Sequence, residues 1–271
     1  MQALSNLFFD VPLAVIALLM AAVMFAFARL GWWIGRGQRR RAGDEDEKSV
    51  DVILGTLLAL LGLLIAFTYS FALERHAARK ASILLEANAL GTAFLRADLL
   101  EDEPRRRLQT ALEAYAKTRT SRGGGAAEVV TAEAYETAIA VSESVQRSVW
   151  PAALAAAATV PPPYAALIIT SVNEVLDSHT IRAAALRDRV PAPVFLLAVL
   201  VACSALFTSS QAAGYRGDRR VWRSLAYALT VTAILTLIMD FDRPARGFIT
   251  VSAQPIDSAW ESMAAGLQLQ R

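Results

Sequence analysis

Four uninterrupted apolar stretches, Val11 to Ile34, Val50 to Leu73, Pro193 to Ser210 and Ser224 to Met239, bracket a middle segment in which apolar and charged positions recur with helical period. Each stretch approaches the roughly 20 apolar residues that a helix needs to cross the hydrocarbon core, so four transmembrane helices are predicted. From Glu74 to Val190 alanine, glutamate, arginine and leucine dominate, and no run of alternating β-branched residues signals a strand. The predicted fold class is therefore all-α. Residues 1–73 form a transmembrane hairpin, 74–190 an inserted helical bundle, 191–240 a second transmembrane hairpin and 241–271 a tail.

Between Tyr69 and Leu100 there is no proline and a single glycine, Gly91. The second span should thus continue into the bundle as one rod of roughly 50 residues, about 75 Å at the α-helical rise. A second bundle helix is expected from Asp102, with Pro104 early in it and Gly123-Gly124-Gly125 ending it. A third should run from about Ala126 to Val149 and break at Trp150-Pro151. Pro161-Pro162-Pro163 reads as a stiff connector before a helix from Tyr164 toward Val190, and Pro191 and Pro193 mark entry to the third span. Leu84, Leu85, Leu90, Phe94 and Leu95 on the outgoing helix, with Ile168, Ile169, Val172, Val175 and Leu176 on the returning one, are the expected core stripes.

Composition agrees with two environments in one chain. Hydrophobic residues make up 55% of it and charged residues 19%, with a mean hydropathy of +0.39, too apolar for an ordinary soluble domain. The net charge is only +2, and the arginines cluster beside apolar spans without interleaved aromatics, which excludes nucleic acid as a partner. The single cysteine, Cys203, lies in the third span, where it reads as a small buried apolar residue. Ahead of the first span stand Asp10 and no basic residue, so that span is expected to stay as a membrane helix rather than act as a cleaved signal. Arg29, Arg36, Arg39, Arg40 and Arg41 follow the first span, and Arg216, Arg219, Arg220 and Arg223 join the third to the fourth. Short basic loops stay in the cytoplasm, which puts the bundle on the other side, although Arg75, Arg79, Lys80, Arg182, Arg187 and Arg189 near the membrane ends of the bundle weigh against that orientation.

Candidate chemistry follows from spacing. Gly55, Ala59, Gly62, Ala66 and Ser70 recur every three or four residues, and small residues at that spacing let neighbouring helices approach closely. The stripe either packs against the chain's other spans or lines a pore. Thr68, Glu74 and Asn88 are expected constrictions or ion contacts. Glu86 and Asp177, and Asn88 and Asn173, fall at similar heights on antiparallel helices and predict a polar layer with Arg182 and Glu174, the alternative being separately solvated side chains. His76 and His179 differ in height by roughly 15 Å, too far to share a metal. Thr232, Thr236 and Asp240 share a face of the fourth span, with Asp240 as interfacial anchor or ion contact. Trp32, Trp33 and Trp222 fit interfacial anchors, and the segment from Trp260 to Leu269 is weakly amphipathic. No nucleophile, base and orienting group come together, and no phosphate-binding glycine loop is present, so neither enzyme activity nor a cofactor is expected.

The run Gly62-Leu63-Leu64-Ile65-Ala66-Phe67-Thr68-Tyr69-Ser70, then Glu74-Arg75, then Glu86-Ala87-Asn88-Ala89-Leu90-Gly91-Thr92-Ala93-Phe94-Leu95-Arg96-Ala97-Asp98-Leu99-Leu100, resembles the hallmark of the bacterial bestrophin-like membrane proteins, a family of unknown function. Val172-Asn173-Glu174-Val175-Leu176-Asp177, Arg189-Val190-Pro191 and Asp240-Phe241-Asp242-Arg243-Pro244 extend the resemblance over most of the chain from about Val50 to Ser252. Bestrophins are pentameric anion channels with four membrane helices and a helical domain between the second and third. The resemblance therefore implies a homo-oligomer in a lipid bilayer handling small inorganic ions. Two departures stand out: the bestrophin aromatic neck is missing, and bestrophins keep the middle domain in the cytoplasm. No bestrophin functional residue carries over. The expected protein is an ion-conducting or transport-related homo-oligomer of a bacterial inner membrane. Its rival is a membrane-anchored interaction or sensory protein that binds a partner through faces around Tyr115, Tyr135 and Trp150.

Overall fold

A computed structural model describes residues 11–38, 47–123, 132–218, 221–243 and 248–269. Arg39, Arg40, Arg41, Arg219, Arg220, Gly124, Gly125, Pro244 and the expected helix start at Ala126 lie outside them. The described residues form eight α-helices and one short 3-10 turn, and no strand occurs among them. In chain order the helices are α1 (Leu13–Gln38), α2 (Glu47–Arg96), α3 (Asp102–Arg119), α4 (Ala132–Ala157), α5 (Pro162–Arg187), α6 (Ala192–Arg216), α7 (Val221–Asp242) and α8 (Gln254–Leu269). Four helical stretches, in α1, α2, α6 and α7, are long and apolar enough to cross a membrane. The fold is all-α, and this is a membrane protein. The chain divides into a membrane unit, residues 1–73 with 190–242, and a helical unit, residues 74–189 with 243–271.

Helix α2 is one continuous element of 50 residues, because nothing from Tyr69 to Leu100 interrupts its hydrogen bonding. Two expected breaks behave otherwise. Pro151 sits inside α4, which runs on to Ala157. The helix survives the missing N–H because a run of alanines follows, and Val149, Ala153 and Ala156 are buried in the core on one face. The three prolines are no connector either. Pro162 and Pro163 form the first turn of α5, where an N–H would have no acceptor and the fixed φ is already helical. At its other end α5 stops at Arg187, where the buried Arg79 guanidinium takes the Ala185 and Asp188 carbonyls at 3.2 and 2.7 Å. A cation on the last carbonyls of a helix satisfies acceptors that lack intrahelical donors.

In the membrane unit the backbones of α1 and α6 come into close approach at three glycines. A Cβ at Gly31 would fall on the Phe207 carbonyl oxygen, one at Gly35 on that of Gln211, and one at Gly214 on that of Trp32. Gly31 and Gly35 are one turn apart, so the close approach that small residues permit between membrane helices is made here. Met24, Ala28, Ala202, Leu206, Leu235 and Ile238 fill the unit's core, and α2 contributes Leu61 and Ala72 to it. Gly217, with φ 77°, closes α6 in the left-handed conformation, followed by the Asp218 N–H donating to Ala213 O at 2.9 Å.

In the helical unit Ala89, Leu90, Ala93 and Phe94 of α2, and Ala97 of the 3-10 turn after it, meet Leu108, Leu112 and Tyr115 of α3, Val149 and Ala153 of α4, and Ile168, Val172 and Val175 of α5. Leu84, Leu85 and Leu95, expected in this core, are exposed; the alanine-rich face of α2 turns inward because it lets three helices approach. Helix α8 belongs to this unit. Met263 enters the core, Ile256 packs on Ile83 and Ala87, the Trp260 indole donates to Glu113 at 2.6 Å, and Asp257 accepts from the Ser121 N–H and hydroxyl at 2.8 and 2.9 Å. The amphipathic face of the tail is thus spent on the bundle.

Candidate functional site

Two features carry the residues singled out by sequence. The first is the small-residue stripe of α2. In the membrane unit Gly55, Ala59, Gly62, Ala66 and Ser70 are all exposed, and a Cβ at Gly55 or Gly62 would meet nothing within 4 Å. The close helix approach seen in this unit is made by Gly31, Gly35 and Gly214. In the helical unit the same period leaves Ala77, Ala81, Leu84, Asn88 and Leu95 exposed, with nothing within 4 Å of a Cβ at Gly91. An uncovered face therefore recurs along α2 in both units. Thr68 is off this face: it is fully buried and its hydroxyl donates to Leu64 O at 2.6 Å. Glu74 is exposed. Asp240 is buried, with Thr232, in the membrane unit, and the neighbouring Asp242 accepts the Val190 N–H at 3.0 Å.

The second feature is an ionic cluster inside the helical unit, centred on Glu86, which is 0% exposed. Its Oε1 accepts from Arg119 Nε at 3.0 Å and its Oε2 from Arg182 Nη1 at 2.7 Å. Tyr115 donates its hydroxyl to Oε1. The same phenol oxygen lies 2.9 Å from His179 Nδ1. A phenol has one hydrogen, and the carboxylate claims it, so Nδ1 must donate and His179 is the Nδ1–H tautomer. That leaves Nε2 as a buried lone pair with no partner among the described residues. Residues of α3 and α5 thus meet the α2 carboxylate directly, and Arg119 also reaches Ser142 of α4 at 3.4 Å, which links that helix to the cluster.

Electrostatics follow from this geometry. Burial raises the Glu86 carboxyl, but Arg119, Arg182 and the Tyr115 hydrogen bond outweigh it and hold it at about 2. Burial, then the Glu86 charge, pushes the Tyr115 phenol well above its ordinary value. Burial, then Arg119, lowers His179. The carboxylate is ionised, the phenol and imidazole neutral, and two guanidiniums face one carboxylate. The arrangement is a clamp that ties helices together through buried, charge-assisted hydrogen bonds.

Glu86 and Arg182 thus come together, whereas Asn88, Asn173, Glu174 and Asp177 are exposed on the bundle and the layer is built from other residues. Tyr115, read as an exposed recognition residue, is fully buried; the Tyr135 side chain lies outside the described residues. Arg119, Ser142 and Tyr115 escaped the sequence reading because matching heights on α2 and α5 says nothing of α3 and α4. No group of three or more histidine, cysteine or acidic side chains suited to a metal occurs among the described residues.

The sequence profile of the bestrophin-like domain matches residues 13–256. Crystal structures of a bacterial bestrophin homologue from Klebsiella pneumoniae, each carrying one substitution, have a similar fold. One has a TM-score of 0.65 at 10% identity over 96% of this chain and 98% of that one. Another has 0.64 at 13% identity over 93% and 97%. Identity this low speaks for the fold alone. No curated protein sequence matches the chain.

Proposed function

The chain belongs to the bestrophin-like family, and from that premise we propose that it assembles as a homo-oligomer in a bacterial inner membrane and conducts or transports small inorganic ions along an axis bordered by α2. The uncovered small-residue face carries this reading. Within the membrane unit Leu61 and Ala72 of α2 are buried in the core, while Gly55, Ala59, Gly62, Ala66 and Ser70 are exposed, and a Cβ at Gly55 or Gly62 meets nothing within 4 Å among the described residues. Lipid alone gives no reason for a stripe of small residues, since a leucine faces acyl chains equally well; a neighbouring backbone or a water-filled axis does. A stripe contacting a different patch on the next subunit closes a ring. Ser70, Glu74 and Asn88 are the exposed polar groups that would meet ions on that axis.

Arg29, Arg36, Arg216 and Arg223 at the short-loop ends of α1, α6 and α7 support placing those loops in the cytoplasm and the helical unit on the other side. The test of function is ion flux from proteoliposomes of purified protein, wild type against G62L. A Cβ there meets nothing within 4 Å among the described residues, so the variant should fold as a protomer and lose flux or assembly. Unchanged flux and unchanged assembly in G62L would remove α2 from the axis, and no flux from either protein would leave a membrane-anchored interaction protein as the better reading.

A further inference from the structure

The membrane unit holds a cavity of about 510 Å³ between α1, α2, α6 and α7, at the end where the short loops join them. Its lining combines two chemistries. Arg29, Arg216 and Arg223 bring three guanidiniums against one carboxylate, Asp218, and that carboxylate already pairs with Arg223 at 3.2 Å. Three guanidiniums and one carboxylate give the lining a positive formal charge, so the cavity favours an anion. The Tyr227 hydroxyl also lines it, buried and without a hydrogen-bond partner among the described residues. A buried donor without an acceptor is costly unless an occupant supplies one.

The opposite wall is apolar. Leu54 and Leu58 of α2 line the cavity, and Leu58 is 41% exposed on the outer surface of the unit. The space therefore opens beside a surface that lipid chains cover. Trp32 sets its level: its indole donates to Asp218 O at 2.9 Å, and Arg29 and Arg36 lie over its ring at 5.4 and 5.3 Å. Tryptophan with arginine at a helix end marks the headgroup layer. A basic pocket between membrane helices at that level, with an apolar wall running toward the bilayer centre, matches an anionic lipid in both of its parts.

We propose that this cavity binds an anionic phospholipid, its phosphate among Arg29, Arg216, Arg223 and the Tyr227 hydroxyl and its acyl chains along Leu54 and Leu58. The phosphate supplies the acceptor that Tyr227 lacks and offsets the surplus guanidinium charge. The chains cover a stretch of α2 at the edge of its small-residue stripe, so the lipid fills a gap between the protomer's own helices.

The test uses full-length protein carrying W33F and W222F, both exposed positions, so that Trp32 is the tryptophan left at the membrane end. Its fluorescence is quenched in liposomes by phosphatidylglycerol or phosphatidylcholine with brominated acyl chains. Quenching by the phosphatidylglycerol should be half-maximal at a lower mole fraction than by the phosphatidylcholine. The preference should fall about 25-fold in R29Q/R216Q, roughly fivefold for each arginine. R106Q/R107Q, which removes two exposed arginines of the helical unit, should leave it unchanged. If R29Q/R216Q does not fold, R223Q should still lower the preference about fivefold. Equal quenching by the two lipids, or equal loss in both double variants, would overturn the site. Complete relief of phosphatidylglycerol quenching by millimolar inorganic phosphate would assign the cavity to a free anion and overturn the lipid.

Discussion

Replacing Glu86 by glutamine keeps the shape of the side chain and removes its charge. In the folded chain the carboxylate neutralises Arg119 and Arg182 from a position with no solvent access. Its acid constant is held at about 2 against an ordinary 4.5, a gap that corresponds to about 3 kcal/mol in favour of the folded state at neutral pH. Loss of the carboxylate also leaves two buried guanidiniums facing each other, and breaking such a pair from one side costs about 3–5 kcal/mol. At about 2–4 °C per kcal/mol for a chain of this size, Glu86→Gln should unfold roughly 10 °C below wild type at pH 7. Loss of helicity on heating in detergent, followed by circular dichroism, reads this directly. The folded carboxyl binds a proton less readily than the unfolded one, so its stabilisation is complete above about 4.5 and lost as pH falls toward 2. The gap between wild type and variant should accordingly narrow over that window. A variant that unfolds within about 1 °C of wild type at pH 7, or a gap independent of pH, would refute the clamp.

Three other substitutions and one deletion probe the rest of the structure. His179 is lowered from 6.5 by burial and then by Arg119, so its neutral form stabilises the fold above 6.5 and that stabilisation is lost as pH falls below it; His179→Gln should flatten the stability profile on the acid side of 6.5, as thermal scans from pH 7.5 to 5 would record. Gly31→Ala puts a methyl group onto the Phe207 carbonyl and should lower the unfolding temperature of the membrane unit, whereas Gly62→Ala should not, since it meets nothing in its own chain. Deleting residues 254–271 removes Ile256 and Met263 from their packing at about 1.5–3 kcal/mol each and should speed proteolysis of α3.

How much of this was legible in the chain depended on dimension. The four membrane helices and the uninterrupted α2 follow from runs of like residues, which one-dimensional reading handles well. The prolines misled because their effect depends on position: Pro162 and Pro163 open a helix, and Pro151 is carried by the alanines after it. Leu84, Leu85 and Leu95 look like a core stripe, yet α2 turns Ala89 and Ala93 inward. Glu86 and Arg182 could be matched by height, but Tyr115, Arg119 and Ser142 required the rotation of two further helices. The close α1–α6 contact was written in Gly31 and Gly35, one turn apart, and the more extended stripe on α2 drew attention from it.

The central claim is that the uncovered face of α2 meets other copies of the chain around an axis. Subunit stoichiometry by native mass spectrometry, after gentle extraction into lipid nanodiscs, tests it most directly. The account predicts a closed ring of at least four subunits, five being the number that the bestrophin resemblance implies, and its loss in Gly62→Leu. A monomer or dimer in wild-type protein would contradict it.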